Sequence, residues 1–198
     1  MASDIKVSVK DDALRAAVDR VRLGLPLGGR MRPLWERIGR IGKTSTQLRF
    51  RTQVDPSGKP WVKSWRALNE GGQTMSLSRR LRNSIAYEAR ETGVAWGTNV
   101  AYAAQRNFGG VIRAKAGPFL SIPVTPEARR AGSPRNFGEL HVAQSIKGQF
   151  MLVDKNGVTQ YLLRAKVTQP AREFLGVNEA DSKEIVDTSE RYYEEQWR

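Results

Sequence analysis

The stretch GVAWGTNVAYAAQRNFGG, residues 93–110, holds the strongest structural signals in this 198-residue chain. Alternating residues at its start predict a half-buried strand whose core-facing side chains are Val94, Trp96 and Thr98. An alanine-rich run then predicts one or two turns of helix, for which Asn99 is a suitable N-cap. Three side chains share one face of that helix: Tyr102, Gln105 and Phe108. Gly109 and Gly110 can take the positive φ angles that end a helix, and because no side chain here is reactive we expect an architectural unit.

Two further motifs lie at a distance from this stretch. DPSGKPW, residues 55–61, has Asp, Pro and Gly at the positions that a tight turn favours, and its notable residues are Pro56, Gly58 and Trp61. PAREFLG, residues 170–176, contributes Pro170, Arg172, Phe174, Leu175 and Gly176. We expect Arg172 to bond loop carbonyls or an acidic neighbour rather than to act in catalysis or phosphate binding.

Taken together, the three motifs resemble the phage virion morphogenesis family, the Mu-type tail-completion proteins. The resemblance lies in the Gly-Thr-Asn, Tyr-Ala and Phe-Gly-Gly elements of the first motif and in the order of the other two, and it covers residues 55–176. We expect the first and third motifs to meet in space and to bury Trp96, Tyr102, Phe108, Phe174 and Leu175. The resemblance implies a tail-completion or a tail-terminator subunit, and the residues do not choose between the two. Nor do they separate a role in the neck from an earlier role in head assembly.

The composition argues against several kinds of chemistry. The chain has no cysteine and one histidine, His141, which argues against thiolate catalysis, cysteine zinc sites and multi-histidine metal sites. Among the carboxylates of residues 55–169, only Glu88 and Glu91 are close in sequence, and they flank a predicted turn. We therefore expect no enzymatic activity and no cofactor. No signal peptide or membrane-spanning apolar run is evident, so we expect assembly in the host cytoplasm without membrane contact.

The net charge of +13 indicates acidic partners, and the charge is unevenly distributed. Residues 30–90 hold fourteen Lys and Arg against four Asp and Glu, whereas residues 171–198 hold four against eight. One interpretation is a basic body that joins the acidic end of a neighbouring copy. The alternative is a nucleic-acid-binding protein, in which Trp61 and Trp65 would stack on bases. No helix-turn-helix, zinc-finger or RNA-recognition signature supports the alternative, and a Trp directly after a turn more often packs over the core.

Two amphipathic helices are predicted before the second motif. The first follows Asp11 or Asp12 and has an apolar stripe of Leu14, Ala17, Val18 and Val21. The second begins near Pro33, and its predicted apolar face contains Leu34, Ile38, Ile41, Ser45 and Leu48. Its other face is basic and is expected to be solvated, with Arg37, Arg40, Lys43 and Arg49. A short helix around Leu77, Leu81 and Ile85 should then project Arg79, Arg80 and Arg82, before a strand that turns at residues 91–93.

Residues 111–169 differ in character from the rest. Their start is proline-rich and predicts extended chain and loop, and three strand candidates follow at residues 140–146, 149–154 and 158–167. Turns at Lys147-Gly148 and Asn156-Gly157 would join these strands into a meander. The resemblance leads us to expect a much shorter connection here, so we interpret residues 111–169 as an inserted arm of a single domain spanning residues 1–198. Exposed arms of this kind usually contact neighbours.

The C-terminal segment predicts an acidic helix with Asn178 as its cap and one apolar face made by Val186, Ser189, Tyr193 and Trp197. We expect this helix to meet the basic helices of a neighbouring subunit rather than those of its own chain. The predicted interface residues are Arg40, Lys43, Arg79 and Arg80 on the basic side and Glu190, Tyr193, Glu194 and Trp197 on the acidic side.

The predicted fold class is α+β, with a mixed or antiparallel sheet packed with N-terminal and C-terminal helices and an inserted β-rich arm. The resemblance implies a structural protein of the virion neck or tail. It would form a homo-oligomeric ring, hexameric by the resemblance, at the head-proximal end of the tail and bind the tail tube and the head connector. DNA passing through such a ring would make non-specific contact with it.

Overall fold

The computed structural model describes Asp12, Ala16 and Asp19, residues 31–115 and residues 117–196. Asp12, Ala16 and Asp19 are helical and exposed, and the predicted apolar stripe of the first helix lies outside the described residues. The chain divides into two compact units, one made by Met1–Phe108 with Ala171–Arg198 and the other by Gly109–Pro170. Helices and antiparallel sheets make up both, so the α+β class is confirmed.

The elements of the described residues are numbered here in chain order. The helices are α1 (Arg32–Thr52), α2 (Trp65–Asn69), α3 (Arg80–Asn83), α4 (Ala103–Phe108), α5 (Pro126–Ala131) and α6 (Glu179–Gln196). The strands are β1 (Ala86–Arg90), β2 (Gly93–Gly97), β3 (Gly110–Arg113), β4 (Leu120–Pro123), β5 (His141–Gln144), β6 (Phe150–Val153), β7 (Thr159–Arg164) and β8 (Lys166–Gln169).

Helix α1 is the long central helix of the first unit, and its buried face differs from the predicted one. The buried residues are Leu34, Ile38, Gly39, Gly42, Thr46, Arg49 and Phe50. Leu48 was expected in the core but is half exposed, whereas Arg49 was expected in solvent but is only 3% exposed. The face is rotated because glycines, a threonine and a paired arginine take positions that a hydropathy pattern assigns to larger apolar residues.

The β1–β2 hairpin packs on α1 at two glycines. A Cβ atom at Gly39 would lie 2.5 Å from the Tyr87 ring, and one at Gly42 would lie 2.5 Å from the Trp96 ring. The strands pair in register from Ala86 opposite Gly97 to Arg90 opposite Gly93, which confirms the predicted hairpin. The Tyr87 and Trp96 rings therefore occupy space on the surface of α1 that is free only because Gly39 and Gly42 have no Cβ atom.

Two hydrophobic clusters form the core of the first unit. One contains Phe50, Trp61, Leu81, Ile85, Val100, Ala103, Phe174 and Leu175. The other lies between α1 and α6 and contains Met31, Leu34, Ile38, Ile185 and Tyr192. On α6 the predicted burial of Ser189 is confirmed. The buried apolar positions are Ile185 and Tyr192, one residue before the predicted Val186 and Tyr193, and Tyr193 is half-buried beside them. Helix α3 is also shorter than predicted, because Leu77 is exposed and the helix starts only at Arg80.

The second unit contains a four-stranded antiparallel sheet in the order β4-β7-β6-β5 and a separate β3–β8 pair. The predicted meander is confirmed, with turns at Gly148 and Gly157 that both have φ near +76°. The third strand candidate is split, since β7 joins the meander and β8 pairs with β3. The expected loop at the start is also wrong in part, because Thr125 caps helix α5 there by accepting from the Ala128 N–H. Ala128 in turn packs at the buried Tyr161, whose hydroxyl donates to the Ala128 carbonyl at 3.0 Å.

Candidate assembly surface

The first and third sequence motifs meet through Asn107. Its Oδ1 accepts hydrogen bonds from the backbone N–H groups of Phe174 and Leu175, at 3.0 and 3.1 Å. Asn107 is 1% exposed and lies on α4, so the helix presents a polar side chain to a buried backbone segment. The expected meeting of the two motifs is confirmed, and the residue that makes it was not among the predicted ones.

The second motif joins the same junction. The Trp61 indole donates to the Glu173 carbonyl at 3.0 Å, and its ring packs edge-on against Phe50 with centroids 5.5 Å apart. Gly176, with φ of 150°, lies so close to Pro56 that a Cβ there would come within 2.7 Å of the proline ring. The predicted turn at residues 55–58 is confirmed by a hydrogen bond from the Gly58 N–H to the Asp55 carbonyl. The three motifs therefore form one structural junction.

Two residues of this junction were predicted wrongly. Tyr102 is 41% exposed and Phe108 is 59% exposed, although both were expected in the core. Trp96, Phe174 and Leu175 do pack in or against the core, as predicted. On α4 the buried positions are Ala103 and Asn107, so the helix is turned with Tyr102 and Phe108 toward solvent. The prediction of Asn99 as the N-cap is also wrong, because α4 begins only at Ala103. Thr98, and not Asn99, accepts a hydrogen bond from the Val100 N–H.

Arg172 has the structural role expected of it. Its Nε donates to the Val62 carbonyl at 2.7 Å, and its backbone N–H donates to the Arg106 carbonyl at 3.0 Å. The side chain is 4% exposed. Burial lowers the pKa of Arg172, and the positive charge of Arg106 lowers it further.

A buried ion pair ties α1 to the third motif and to α6. The Arg49 guanidinium donates to the Asp181 carboxylate at 2.6 Å and to the carbonyls of Phe174 and Gly176. Desolvation by burial lowers the pKa of Arg49, although the attraction of Asp181 opposes this. Asp181 also accepts from the Asn178 N–H while Asn178 Oδ1 accepts from the Asp181 N–H, so Asn178 caps α6 as predicted.

The charged helices meet within one chain. Besides the buried pair, Arg37 makes a two-pronged ion pair with Glu195 at 2.7 and 3.1 Å, and hydrogen bonding to Glu195 raises the pKa of Arg37. The expectation that these helices meet between subunits is therefore wrong for Arg37 and Arg49. Arg40, Arg79, Arg80, Glu190 and Glu194 are exposed, Lys43 and Tyr193 are half-buried, and Trp197 lies outside the described residues. Their proposed contact with a neighbouring subunit remains a prediction.

The first unit also contains a cleft of about 270 Å³ with three arginines in its lining, which we call the arginine cleft. It is lined by Ser64, Arg66, Thr74, Met75, Leu77, Ser78, Leu81, Tyr102, Arg106 and Arg172. Burial lowers the pKa of Arg106, and no carboxylate of the described residues pairs with its guanidinium. Arg66 donates to the carbonyls of Gly71 and Gln73. The cleft thus combines positive charge and hydroxyl groups with an apolar rim.

Exposed apolar side chains lie in the lining of the arginine cleft and on a chain segment that contributes to this lining. Leu77 is 67% exposed and, like Tyr102, lines the cleft directly. Others lie on the segment that includes Ser64 and Arg66, namely Val62, Trp65 and Leu68. Trp61 and Trp65 consequently differ, because Trp61 packs in the core and Trp65 is 53% exposed. Exposed aromatic and aliphatic side chains beside arginines are typical of the centre of a protein–protein interface.

The described residues contain no group of three or more His, Asp or Glu side chains that could hold a metal ion. None of their helices combines the length and the apolarity that a bilayer crossing requires.

The fold and the surface define an α+β protein whose distinctive parts are a structural junction and a basic, partly apolar surface. The family model of the phage virion morphogenesis family matches residues 9–194 of the chain, and the protein belongs to that family. The match supports a structural role in phage assembly and a place in the virion. No curated protein and no solved structure matches the chain significantly.

Proposed function

We propose that this protein is a tail-completion or tail-terminator subunit that forms a ring at the head-proximal end of the phage tail. The observation that carries the proposal is the family match over residues 9–194. The ring would stop growth of the tail tube and offer a surface to the head connector. A ring of identical subunits needs two different, complementary patches on each subunit, because each copy then binds the next through a rotation that closes.

The charges of the described residues support such a pair of patches. The arginine cleft and the neighbouring Arg79 and Arg80 provide a basic patch with apolar rim residues. The outer face of α6 carries exposed Asp187, Glu190 and Glu194, away from the Ile185 and Tyr192 face that packs on α1. Arg40 lines a pocket shared by α1 and α6, and Arg40 and Lys43 on α1 remain candidates for the same contact.

The position in the virion can be tested by genetic complementation. A phage that lacks this gene should produce heads and tails that do not join, and the wild-type protein supplied in trans should restore joined, infectious particles. Electron microscopy of the unjoined products would show tails of uncontrolled length for a terminator role and tails of normal length for a completion role. Normal infectious particles in the absence of the gene would contradict the proposal.

Contact with DNA is a second proposal for the basic surface, since the net charge of +13 favours a polyanion. DNA that passes through the ring would meet basic side chains without sequence-specific contacts. Binding of the assembled ring to duplex DNA should then weaken steeply as salt rises, because condensed counterions are released on binding.

A further inference from the structure

We propose that the arginine cleft receives a carboxylate from the outer face of α6 of a second copy of this chain. This contact would be the repeating joint of the ring, so the inference rests on the proposed function.

The cleft has a positive charge without a partner among the described residues of its own subunit. Arg106 is half-buried, and none of the hydrogen bonds and ion pairs of the described residues uses its guanidinium. Arg172 lines the same cleft, and the positive charge of Arg106 lowers the pKa of Arg172. Burying a cation without a counter-charge is unfavourable, so this arrangement is better suited to a complex than to the free subunit.

The backbone around the cleft is also unusual. Met75 and Arg79 both have left-handed backbone conformations, with φ of 58° and 56°, although neither is glycine. They bracket the segment that places Leu77 and Ser78 in the cleft lining. Left-handed residues other than glycine cost free energy and are concentrated at functional sites. The observation therefore agrees with a segment that is shaped for a contact.

The rim favours a protein carboxylate over a nucleic-acid phosphate. Leu77 and Tyr102 are exposed beside the guanidinium groups, and they would stay in contact with water under a hydrated sugar-phosphate backbone. A helix that brings carboxylates together with its own apolar carbon chains would cover them. Guanidinium and carboxylate also match as a planar, two-pronged pair, which Arg106 is free to make.

Charge complementarity identifies the second copy as the occupant. Helix α6 holds seven Asp and Glu against two Lys and Arg, in a chain that is otherwise strongly basic. Asp181 and Glu195 are used within the chain, whereas Asp187 and Glu194 are exposed and lie seven residues apart on one side of the helix. The cleft and this side of α6 are different surfaces, so the contact runs from head to tail as a ring requires.

Two reversed-charge variants and their mixture test the contact. Arg106→Glu destroys the cleft and leaves the acidic side of α6 intact, and Asp187→Lys with Glu194→Lys does the opposite. By sedimentation velocity, each variant alone should stay monomeric at concentrations where the wild type assembles. An equimolar mixture should associate again, because the acidic side of α6 in the first variant meets an intact cleft in the second. At the other joint the introduced glutamate faces the introduced lysines, so opposite charges meet there as well. Arg90→Glu, a reversal at an exposed residue that pairs with Glu88, should assemble like the wild type.

A neutral variant separates binding from folding. Arg106→Gln should weaken association roughly thirtyfold or more, because it removes one partner of a buried charge pair. It should melt no lower than the wild type, because it also removes a half-buried cation that has no partner among the residues described in the free subunit. A clear drop in melting temperature would assign Arg106 a structural role and overturn the proposal.

Other outcomes also decide the question. Normal assembly of Arg106→Glu, no association in the mixture, or a wild type that remains monomeric would each overturn the contact. So would an Arg106→Glu variant that assembles normally and loses binding to a short DNA duplex, because the cleft would then hold phosphate. Complementation tests the proposed function separately. If the wild-type protein restores particles and Arg106→Glu assembles normally, only the cleft contact is refuted. If the subunits assemble through the cleft but are not incorporated into particles, only the tail role is refuted.

Discussion

At the scale of single residues, the pairing of Arg49 with Asp181 places a full charge inside the first unit. Asp181→Asn keeps the shape of the side chain and strands the Arg49 cation, which is 3% exposed. Removing one partner of a buried ion pair costs about 3–5 kcal/mol of the free energy of unfolding. Urea denaturation should show that loss. Glu184→Gln, at an exposed position of α6 outside the proposed subunit contact, is the control and should change stability by less than about 0.5 kcal/mol. Equal effects of the two variants would contradict a buried pair.

The Asn107 amide is a second residue whose role depends on its partners. Asn107→Ala leaves the N–H groups of Phe174 and Leu175 without an acceptor in a buried place. Each such loss costs about 1–3 kcal/mol, so we expect the variant to lose about 2–6 kcal/mol in urea denaturation. The exposed Asn99 serves as the matched control for Asn→Ala. A variant at Asn107 that is as stable as the control would show that the two motifs do not depend on this amide.

Sequence reasoning found the motifs but not the residues that connect them. It selected Tyr102 and Phe108 on α4 by their size, whereas the structure buries the polar Asn107. A six-residue helix has too few positions for a periodic pattern to show which side is buried. The sequence feature that indicates the role of Asn107 is its side-chain amide, because one amide oxygen can accept hydrogen bonds from two backbone N–H groups of a neighbouring segment.

At the scale of elements, the close packing of the hairpin on α1 gives a clear test. Gly42→Ala adds a methyl group that would lie 2.5 Å from the Trp96 ring. Alanine favours a helix over glycine by about 1 kcal/mol, but overpacking costs about 1–3 kcal/mol, and at this distance the ring or the helix must shift. We therefore expect a net loss of stability in thermal or urea unfolding. Thr44→Ala, at an exposed position of the same helix, should be neutral or slightly stabilising.

A smaller side chain at Trp96 provides a further test of the close contact at Gly42. Combining it with Trp96→Phe should cost less than the sum of the two single changes, because the smaller ring leaves space for the methyl group. Strict additivity, or a Gly42→Ala variant more stable than the wild type, would mean that helix and hairpin are not in tight contact.

The elements themselves were largely predictable, and their packing faces were not. Pro33, the turn at residues 55–58, Asn178 and Asn156-Gly157 mark boundaries through local chemistry, and the structure confirms these boundaries. The faces of α1 and α6 depend on what lies opposite. Gly39 and Gly42 are buried because aromatic rings of the hairpin pack against them. Arg49 is buried because its charge is paired with Asp181 on α6. Neither cause is visible in the helix sequence alone.

At the scale of the whole molecule, the division into two units makes the inserted segment testable. Gly110 lies opposite Gln169 in the β3–β8 pair, so the ends of the segment are neighbours. Replacing residues 111–168 by Asn-Gly closes the chain with a type I′ turn. The shortened protein should unfold cooperatively and keep the first unit, because both core clusters belong to that unit.

The same deletion tests the function that we predict for the segment. If the segment contacts neighbouring proteins, the shortened protein should fold but fail to restore particles in complementation. A deletion variant that cannot fold would place residues 111–169 in the core, and one that restores particles would make the segment dispensable for assembly.

The most direct test of a closed ring is the native mass of the purified protein, measured by native mass spectrometry alone and with tail tubes. A ring built from one repeating contact between different surfaces predicts a single closed species, with six times the 22.2 kDa mass of the chain as the expected value. Raising the salt concentration should slow its formation, because the proposed contact is steered by opposite charges. A mass of one or two chains under every condition, or an open series of masses without a preferred size, would contradict the account.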